Sequence, residues 1–445
     1  MNTSINEDFL AEVCSEISGG NSDIKKYYPG DFPERQPVQT VYGGAQLFNS
    51  ETIKKIGELA LKSMQDYGSD PVEFAGSLGI EGDDNYKKII HAKVLSKLEN
   101  EAVEDFRIDF EDGFGIRSEE EEDKTAEFTA GEVLTAMNEN ILSPFMGIRI
   151  KSFSDEMMKR AIRTMDIFIT RVTEQSAGKL PENFVITLPK VLNKNQVSAM
   201  VKILKVLEKK LGLKEGSLKI ELMIETTQSI FDINGNANLL QLVKEAEGRC
   251  IAAHFGVYDY TALCDITAKH QNMQHPVCDF ARHMMKVTLA GTGIWLSDGA
   301  TNVMPVTVHK GDVLSEIEQR ENSAGIYKAW KNSFDDIKHS LKNGFYQGWD
   351  LHPAQIPVRY AAVFDFFLEG IGQASDRLSN FIDKAAQATL VGDIFDDAAT
   401  GQGLLNYFLR AYNCGAVTEE EILKTGISED ELRGKSFLKI LENRK

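Results

Sequence analysis

The chain has 445 residues, 42% apolar and 26% charged, enough to bury a full-sized core without disulfide or metal staples. Its net charge of −18 excludes nucleic acids and anionic membranes as partners, since both need a basic face, but leaves room for a local basic pocket for an anionic metabolite. Five scattered cysteines without CxxC or Cys/His zinc spacing predict free thiols in a reducing compartment. Residues 1–8 lack the basic and apolar regions of a leader peptide, and no apolar run nears the roughly 20 residues that span a bilayer. A soluble, cytoplasmic protein is expected.

In chain order, residues 1–40 form an N-terminal extension whose Pro/Gly-bearing stretch (Pro29, Gly30, Pro33 and Pro37) reads as an extended lead-in. Short apolar runs follow at 41–48, 106–110, 145–150, 184–189, 219–225, 251–258, 294–297 and 345–351, and read as strands. Amphipathic helical patterns such as 155–172 and 195–210 lie between most of them. About 65 residues separate the starts of the first two strands, so that connection carries an insertion. Eight strands in β-α-β order is the number that closes a parallel barrel. The expected fold is therefore α/β: a (β/α)₈ TIM barrel over 41–370, preceded by an extension (1–40) and followed by a helical C-terminal cap (371–445). An open doubly wound sheet is the alternative. In the cap, Thr418 with Glu421 and Ser428 with Glu431 have capping-box spacing. The acidic run Glu119–Asp123 follows Ser118 and reads as a solvated helix start whose acids favour the helix dipole.

In such a barrel the chemistry sits at the C-terminal ends of the strands. Strand two ends in Asp109, Glu111 and Asp112, strand three in Arg149, strand four in Lys190 and strand five in Glu225. Strand six ends in Asp259, strand seven in Asp298 and strand eight in His352. Surface charge alone would scatter such residues over helices and turns, so their gathering on one rim signals a site. Asp112-Gly113 and Asp298-Gly299 are also turn dipeptides, and Asp298 fits either reading equally. Arg149 and Lys190 could instead serve a structural ion network. Glu225 closes an almost wholly apolar strand, where an unpaired carboxylate is costly, which favours a ligand role. His352 before Pro353 reads as an orienting residue. Carboxylates on neighbouring strands without a Cys/His set suit a hard cation, Mg²⁺ with Mn²⁺ as substitute, that could chelate a 2-oxo acid and polarise its carbonyl. Arg149 facing the same point would stabilise an enolate oxygen. HExxH, P-loop and GxGxxG patterns are absent. Lys190 as a Schiff-base nucleophile is disfavoured because the acids around it would keep it protonated.

These residues resemble the citrate lyase beta-subunit and malate synthase superfamily of Mg²⁺-dependent barrels, related to the HpcH/HpaI aldolases, over roughly residues 105–400. The motifs are Arg107-Ile108-Asp109-Phe110-Glu111-Asp112, Gly147-Ile148-Arg149-Ile150, Leu188-Pro189-Lys190-Val191, Ile224-Glu225-Thr226, Gly256-Val257-Tyr258-Asp259-Tyr260 and Gly348-Trp349-Asp350-Leu351-His352-Pro353. Each is weak alone; their order and spacing are more specific. The resemblance implies Glu225 and Asp259 as metal ligands and Arg149 as the enolate-stabilising residue, with Asp112 supporting the site. Asp109, Glu111, Lys190, Asp298 and His352 are expected at the substrate. Phe395-Asp396-Asp397-Ala398-Ala399-Thr400 resembles the malate synthase segment whose aspartate takes a proton from the acetyl group, which would make Asp397 the general base; a helix cap is its bland role. Strand one, Val41-Tyr42-Gly43-Gly44-Ala45-Gln46, lacks the arginine many acyl-CoA-using relatives carry there. The resemblance thus implies a Claisen- or aldol-type lyase or synthase acting on a 2-oxo acid with an acyl-CoA, or on a hydroxy-acyl-CoA, in a homo-oligomer. A CoA-independent 2-oxo-acid aldolase and a catalytically silent barrel, used for assembly or metabolite sensing, are the rivals.

Overall fold

Eight strands pair in the order in which the chain makes them. In the computed structural model, which describes residues 4–30, 34–311, 313–383, 389–391, 394–396, 398–434 and 440, they are β1 (Gln39–Gly44), β2 (Asp105–Asp109), β3 (Phe145–Arg149), β4 (Phe184–Leu188), β5 (Lys219–Ile224), β6 (Cys250–Phe255), β7 (Trp295–Asp298) and β8 (Gln347–Asp350). Every neighbouring pair is parallel, and β8 pairs with β1, so the sheet closes on itself. Each expected strand is met by an observed one, and closure decides for the TIM barrel over the open sheet.

The helices preceding and wrapping the barrel are α1 (Glu7–Tyr27), α2 (Thr52–Tyr67), α3 (Pro71–Leu78), α4 (Asp84–Glu101), α5 (Glu119–Glu139), α6 (Met158–Gln175), α7 (Lys194–Leu211), α8 (Thr227–Ile230), α9 (Leu239–Glu245), α10 (Val257–Leu263), α11 (Pro276–Leu289), α12 (Glu316–Lys342) and α13 (Ile356–Leu368). The chain ends in α14 (Ile371–Asp383), the antiparallel pair β9 (Thr389–Val391) and β10 (Ile394–Asp396), α15 (Ala398–Asn413), α16 (Glu419–Leu423) and α17 (Glu429–Arg433). The expected insertion between β1 and β2 is the α2–α4 group. Both cap boxes form, at Thr418 and Ser428. No helix among the described residues is long and apolar enough to cross a membrane.

One local element went unread, and one expectation needs correction. Residues 7–27 form a helix that the sequence reading did not single out: the Asn6 side chain accepts from the Phe9 N–H, and the non-helical lead-in follows Tyr27. The acidic run does start α5, with Ser118 as its N-cap, but it is not uniformly solvated. Glu122 is buried, accepts from the Thr164 hydroxyl and pairs with Lys151 and Arg160, so it ties α5 to α6.

The strands divide their side chains by alternation. In β2, Phe106 and Ile108 are fully buried apolar residues, while Asp105, Arg107 and Asp109 occupy the other face. That polar face is the lumen: Arg107 reaches Glu221 of β5, three strands away, at 3.6 Å. Its neighbour in register is Gly147 of β3, where an added Cβ would lie 2.1 Å from the Val185 carbonyl and 3.0 Å from Arg107 Nη1. Outside the barrel Phe168 of α6 stacks on Phe184 of β4 at 6.0 Å, one of the apolar contacts that seat the helix layer. Burying such a side chain contributes about 1.5–3 kcal/mol.

Candidate active site

The rim is assembled from residues at, or just past, the ends of β2 to β6. Arg149 ends β3 and is almost fully buried, with its Nε donating to Asp109 Oδ1 at 2.7 Å and its Nη2 to Asp109 Oδ2. Asp109 is fixed in turn by the backbone N–H groups of Glu111 (2.9 Å) and Gly113 (2.7 Å). This two-pronged clamp leaves Arg149 Nη1 turned toward Glu111 (3.4 Å) and Asp112 (3.6 Å). The Tyr42 and Trp349 rings lie 5.0 and 5.5 Å from the guanidinium carbon, so aromatic faces close its other sides.

Glu225 follows β5 and is 1% exposed. Its Oε1 accepts from the Lys190 N–H at 2.7 Å. Gly256 lies so close that a Cβ there would stand 2.4 Å from Glu225 Oε2, so only glycine lets the chain pass the carboxylate. Burial, and then the charge of Asp259, push the Glu225 carboxyl up to about 8, against the pull of Arg149 and Lys190. Lys190 has a left-handed backbone, φ 51°, unusual for a long side chain and a mark of local strain. Its ammonium pairs with Glu111, with Asp112 at 3.1 Å and with Asp259 at 3.8 Å. Burial acts to lower the Lys190 pKa, but these acids outweigh it and hold the group above the usual lysine range. A protonated Lys190 matches the sequence argument against a Schiff base. Burial pushes Glu111 up to about 7 despite the Arg149 charge. For Asp112 burial is outweighed by the Glu111 hydrogen bond, Arg149 and Lys190, and its pKa falls.

Asp109, Glu111, Asp112, Arg149, Lys190, Glu225 and Asp259 therefore come together as the sequence expected, with one change of address. Asp259 stands in the first turn of α10, past the end of β6. His352 caps a 3₁₀ turn at Pro353–Gln355: its Nδ1 accepts from the Ala354 N–H at 3.2 Å, and burial lowers its pKa. Asp298 does not join the cluster, and its expected substrate contact gives way to a structural one. Ser297 is in register with lumen-facing His254, so alternation turns Asp298 toward the helices. There its carboxylate accepts from Arg282 of α11 at 2.8 Å, from the Ser340 hydroxyl of α12 at 2.5 Å and from the Gly299 N–H. Asp397 lies outside the described residues.

Below the rim the lumen carries a second polar layer that the sequence reading passed over. Arg107 pairs with Asp105 at 2.7 Å and faces Glu221, which accepts from Thr187 (2.8 Å) and Tyr42 (3.2 Å). His254 meets the Tyr42 and Trp349 rings edge-on, and burial lowers its pKa to about 4, so it is neutral. The signal was present in the alternation of Asp105-Phe106-Arg107-Ile108-Asp109 and of Glu221-Leu222-Met223-Ile224-Glu225, which puts a polar or sulfur-bearing side chain at every second position.

Five carboxyl groups thus share this rim with two cations; burial first, and then the neighbouring acids Asp259 and Asp112, raise Glu225 and Glu111. Such a donor set suits a hard divalent cation: oxygen ligands, one of them buried and undercompensated. Among the described residues, no three His, Cys, Asp or Glu side chains are already gathered as ligands of an ion.

A model of a domain of unknown function, DUF6986, matches residues 17–440. No curated protein matches. Among solved structures, a citrate lyase from Burkholderia xenovorans LB400 superposes with a TM-score of 0.56 at 17% identity, covering 88% of this chain and 97% of that one. A Haloferax volcanii malate synthase in a lead(II) complex gives 0.45 at 14% identity, covering 91% and 96%. At 17% identity the likeness to the first is one of fold.

Proposed function

This chain belongs to the DUF6986 family, and we propose that it is a divalent-metal-dependent carbon–carbon lyase or synthase working on a 2-oxo acid, of Claisen or aldol type. The observation that carries this reading is the pairing of a clamped guanidinium with an overcharged acidic rim: Arg149 held by Asp109, facing Glu225 and Asp259 across Lys190. Glu225 and Asp259 would hold Mg²⁺ or Mn²⁺, and an ion there supplies Lewis acidity toward a carbonyl oxygen. Arg149 is already oriented and cannot rotate without breaking two hydrogen bonds, so it meets charge developing on an enolate oxygen at no reorganisation cost. Lys190 would meet the substrate carboxylate, and Glu111 and Asp112, which pair with its ammonium, keep it in place.

The base in this reading is Asp397, on the strength of its sequence resemblance alone. Acyl-CoA is the second substrate if Asp397 acts on a thioester. The CoA-independent aldolase reading draws on strand one, which contributes Tyr42 to the Arg149 site and no arginine. Two measurements test the proposal. In a thermal-shift series, Mg²⁺ raises the melting temperature, and one of glyoxylate, pyruvate or oxaloacetate raises it further only in the presence of Mg²⁺; no response to any metal would sink the reading. In deuterated water, α-proton exchange of the bound thioester or 2-oxo acid is expected for the native chain and lost in Asp397→Asn, typically by about 10²–10⁴-fold for a general base. Exchange only with thioesters favours the synthase, exchange with pyruvate alone the aldolase.

A further inference from the structure

Helix α1 is 21 residues long, yet none of its described side chains is buried and only Val13 is partly covered. Leu10, Ile17 and Ile24 are 52%, 56% and 59% exposed, and Phe9 is 54% exposed. Leu10, Ile17 and Ile24 recur every seven residues, with Val13 and Cys14 between the first two, so they form one seam along the helix. A helix standing clear of the core with Gly19 and Gly20 inside it has little stability of its own, because propensity alone rarely holds such a length in water. Something must cover the seam.

Charge along the helix says what. Glu7, Asp8, Glu12 and Glu16 occupy its first half, a formal charge of −4, while its second half holds Asp23 with Lys25 and Lys26, a formal charge of +1. Acid at one end and base at the other make the helix complementary to its own reverse. We propose that α1 is a self-association element through which two copies of this chain pair, their α1 helices antiparallel about a two-fold axis near Ile17. In that arrangement Ile17 meets Ile17 of the second copy, Leu10 meets Ile24, Cys14 meets Gly20, and Asp8 meets Lys26. A parallel pairing would set the acidic halves against each other. The acidic first half also repels an anionic membrane, the other surface an amphipathic helix can cover. The interface is isologous, so it closes with two copies.

The test is the molar mass of the full chain by light scattering at micromolar concentration, with near-ultraviolet circular dichroism as the check that the barrel is folded. The native chain has an even multiple of the 49.6 kDa chain mass. Leu10→Glu/Ile17→Glu/Ile24→Glu halves that mass, with the dichroism unchanged. Orientation is read from exposed charges alone. Glu7→Lys/Asp8→Lys weakens pairing, and adding Lys25→Glu/Lys26→Glu to the same chain restores it. A native chain that is monomeric, or a triple variant that keeps the native mass, overturns the proposal. Equal behaviour of the double and quadruple charge variants overturns the antiparallel arrangement.

Discussion

Glu225 and Asp259 carry the strongest expectations at the scale of single residues. Both variants Glu225→Gln and Asp259→Asn keep size and shape while removing a charge, so they are expected to abolish Mg²⁺-dependent turnover and leave the fold intact. For Glu225→Gln the metal-free chain should even gain stability, because burial and Asp259 already disfavour the charged form. Near-native activity of either variant at limiting Mg²⁺ contradicts the ligand assignment. Arg149 makes a different demand. Arg149→Lys keeps a cation but loses the planar fork that grips Asp109 through two nitrogens. A guanidinium that acts on transition-state charge predicts a fall in kcat larger than any rise in KM; a pure KM effect would make Arg149 a ground-state binding residue. Losing one of the two charge-assisted hydrogen bonds to Asp109 costs about 1.5–3 kcal/mol, so the variant should also melt earlier, and rates must be normalised to folded protein.

Between residue and barrel stand the connections that aim the side chains. The turn after β6 passes Glu225 at a distance only glycine allows, with 2.4 Å between Glu225 Oε2 and a Cβ built on Gly256. Gly256→Ala is therefore expected to displace the carboxylate or the start of α10, which carries Asp259. The readout is the metal-dependent rise in melting temperature, which should shrink strongly while the metal-free value falls by the equivalent of about 1–3 kcal/mol, the usual cost of overpacking. An unchanged metal response would show that the site does not depend on this close approach. Helix starts were easier to foresee than such approaches. The boxes at Thr418 and Ser428 form because hydroxyl and carboxylate sit three residues apart, a purely local relation. Glu122, in an equally local pattern, was misjudged because its partners Thr164, Lys151 and Arg160 lie on other elements.

Taken whole, the molecule carries charge through its core, and that makes its stability depend on pH. Asp105 is buried in the lumen; burial pushes its carboxyl up to about 7, with Glu221 adding to the rise and Arg107 opposing it. A carboxyl raised in the folded state binds its proton there at pH values where the unfolded chain has released it. Its contribution is thus fully present below about pH 4, the unfolded value, and is lost as pH rises toward 7, by at most about 1.4 kcal/mol per pH unit. Asp105→Asn removes that titration. In metal-free buffer the difference in urea midpoint between variant and native chain should move in the variant's favour from pH 4.5 to pH 7.5, and a constant difference would mean that Asp105 does not titrate in this window.

The sequence by itself determined the eight strands, their β-α-β order, the cap helices and most of the rim, since periodicity, capping spacing and strand-end position are properties of neighbouring residues. It pointed to Asp109, Glu111, Asp112, Arg149, Lys190, Glu225 and Asp259 because each follows an apolar run. Only the tertiary structure decided closure of the sheet, because pairing β1 with β8 joins segments some 300 residues apart. It alone decided which way a strand end faces, turning Asp298 to Arg282 and Ser340 while Glu225 and Arg149 turn to the lumen. It also brought together the Arg107, Glu221 and Tyr42 layer, whose members come from β2, β5 and β1 and meet only across a closed barrel.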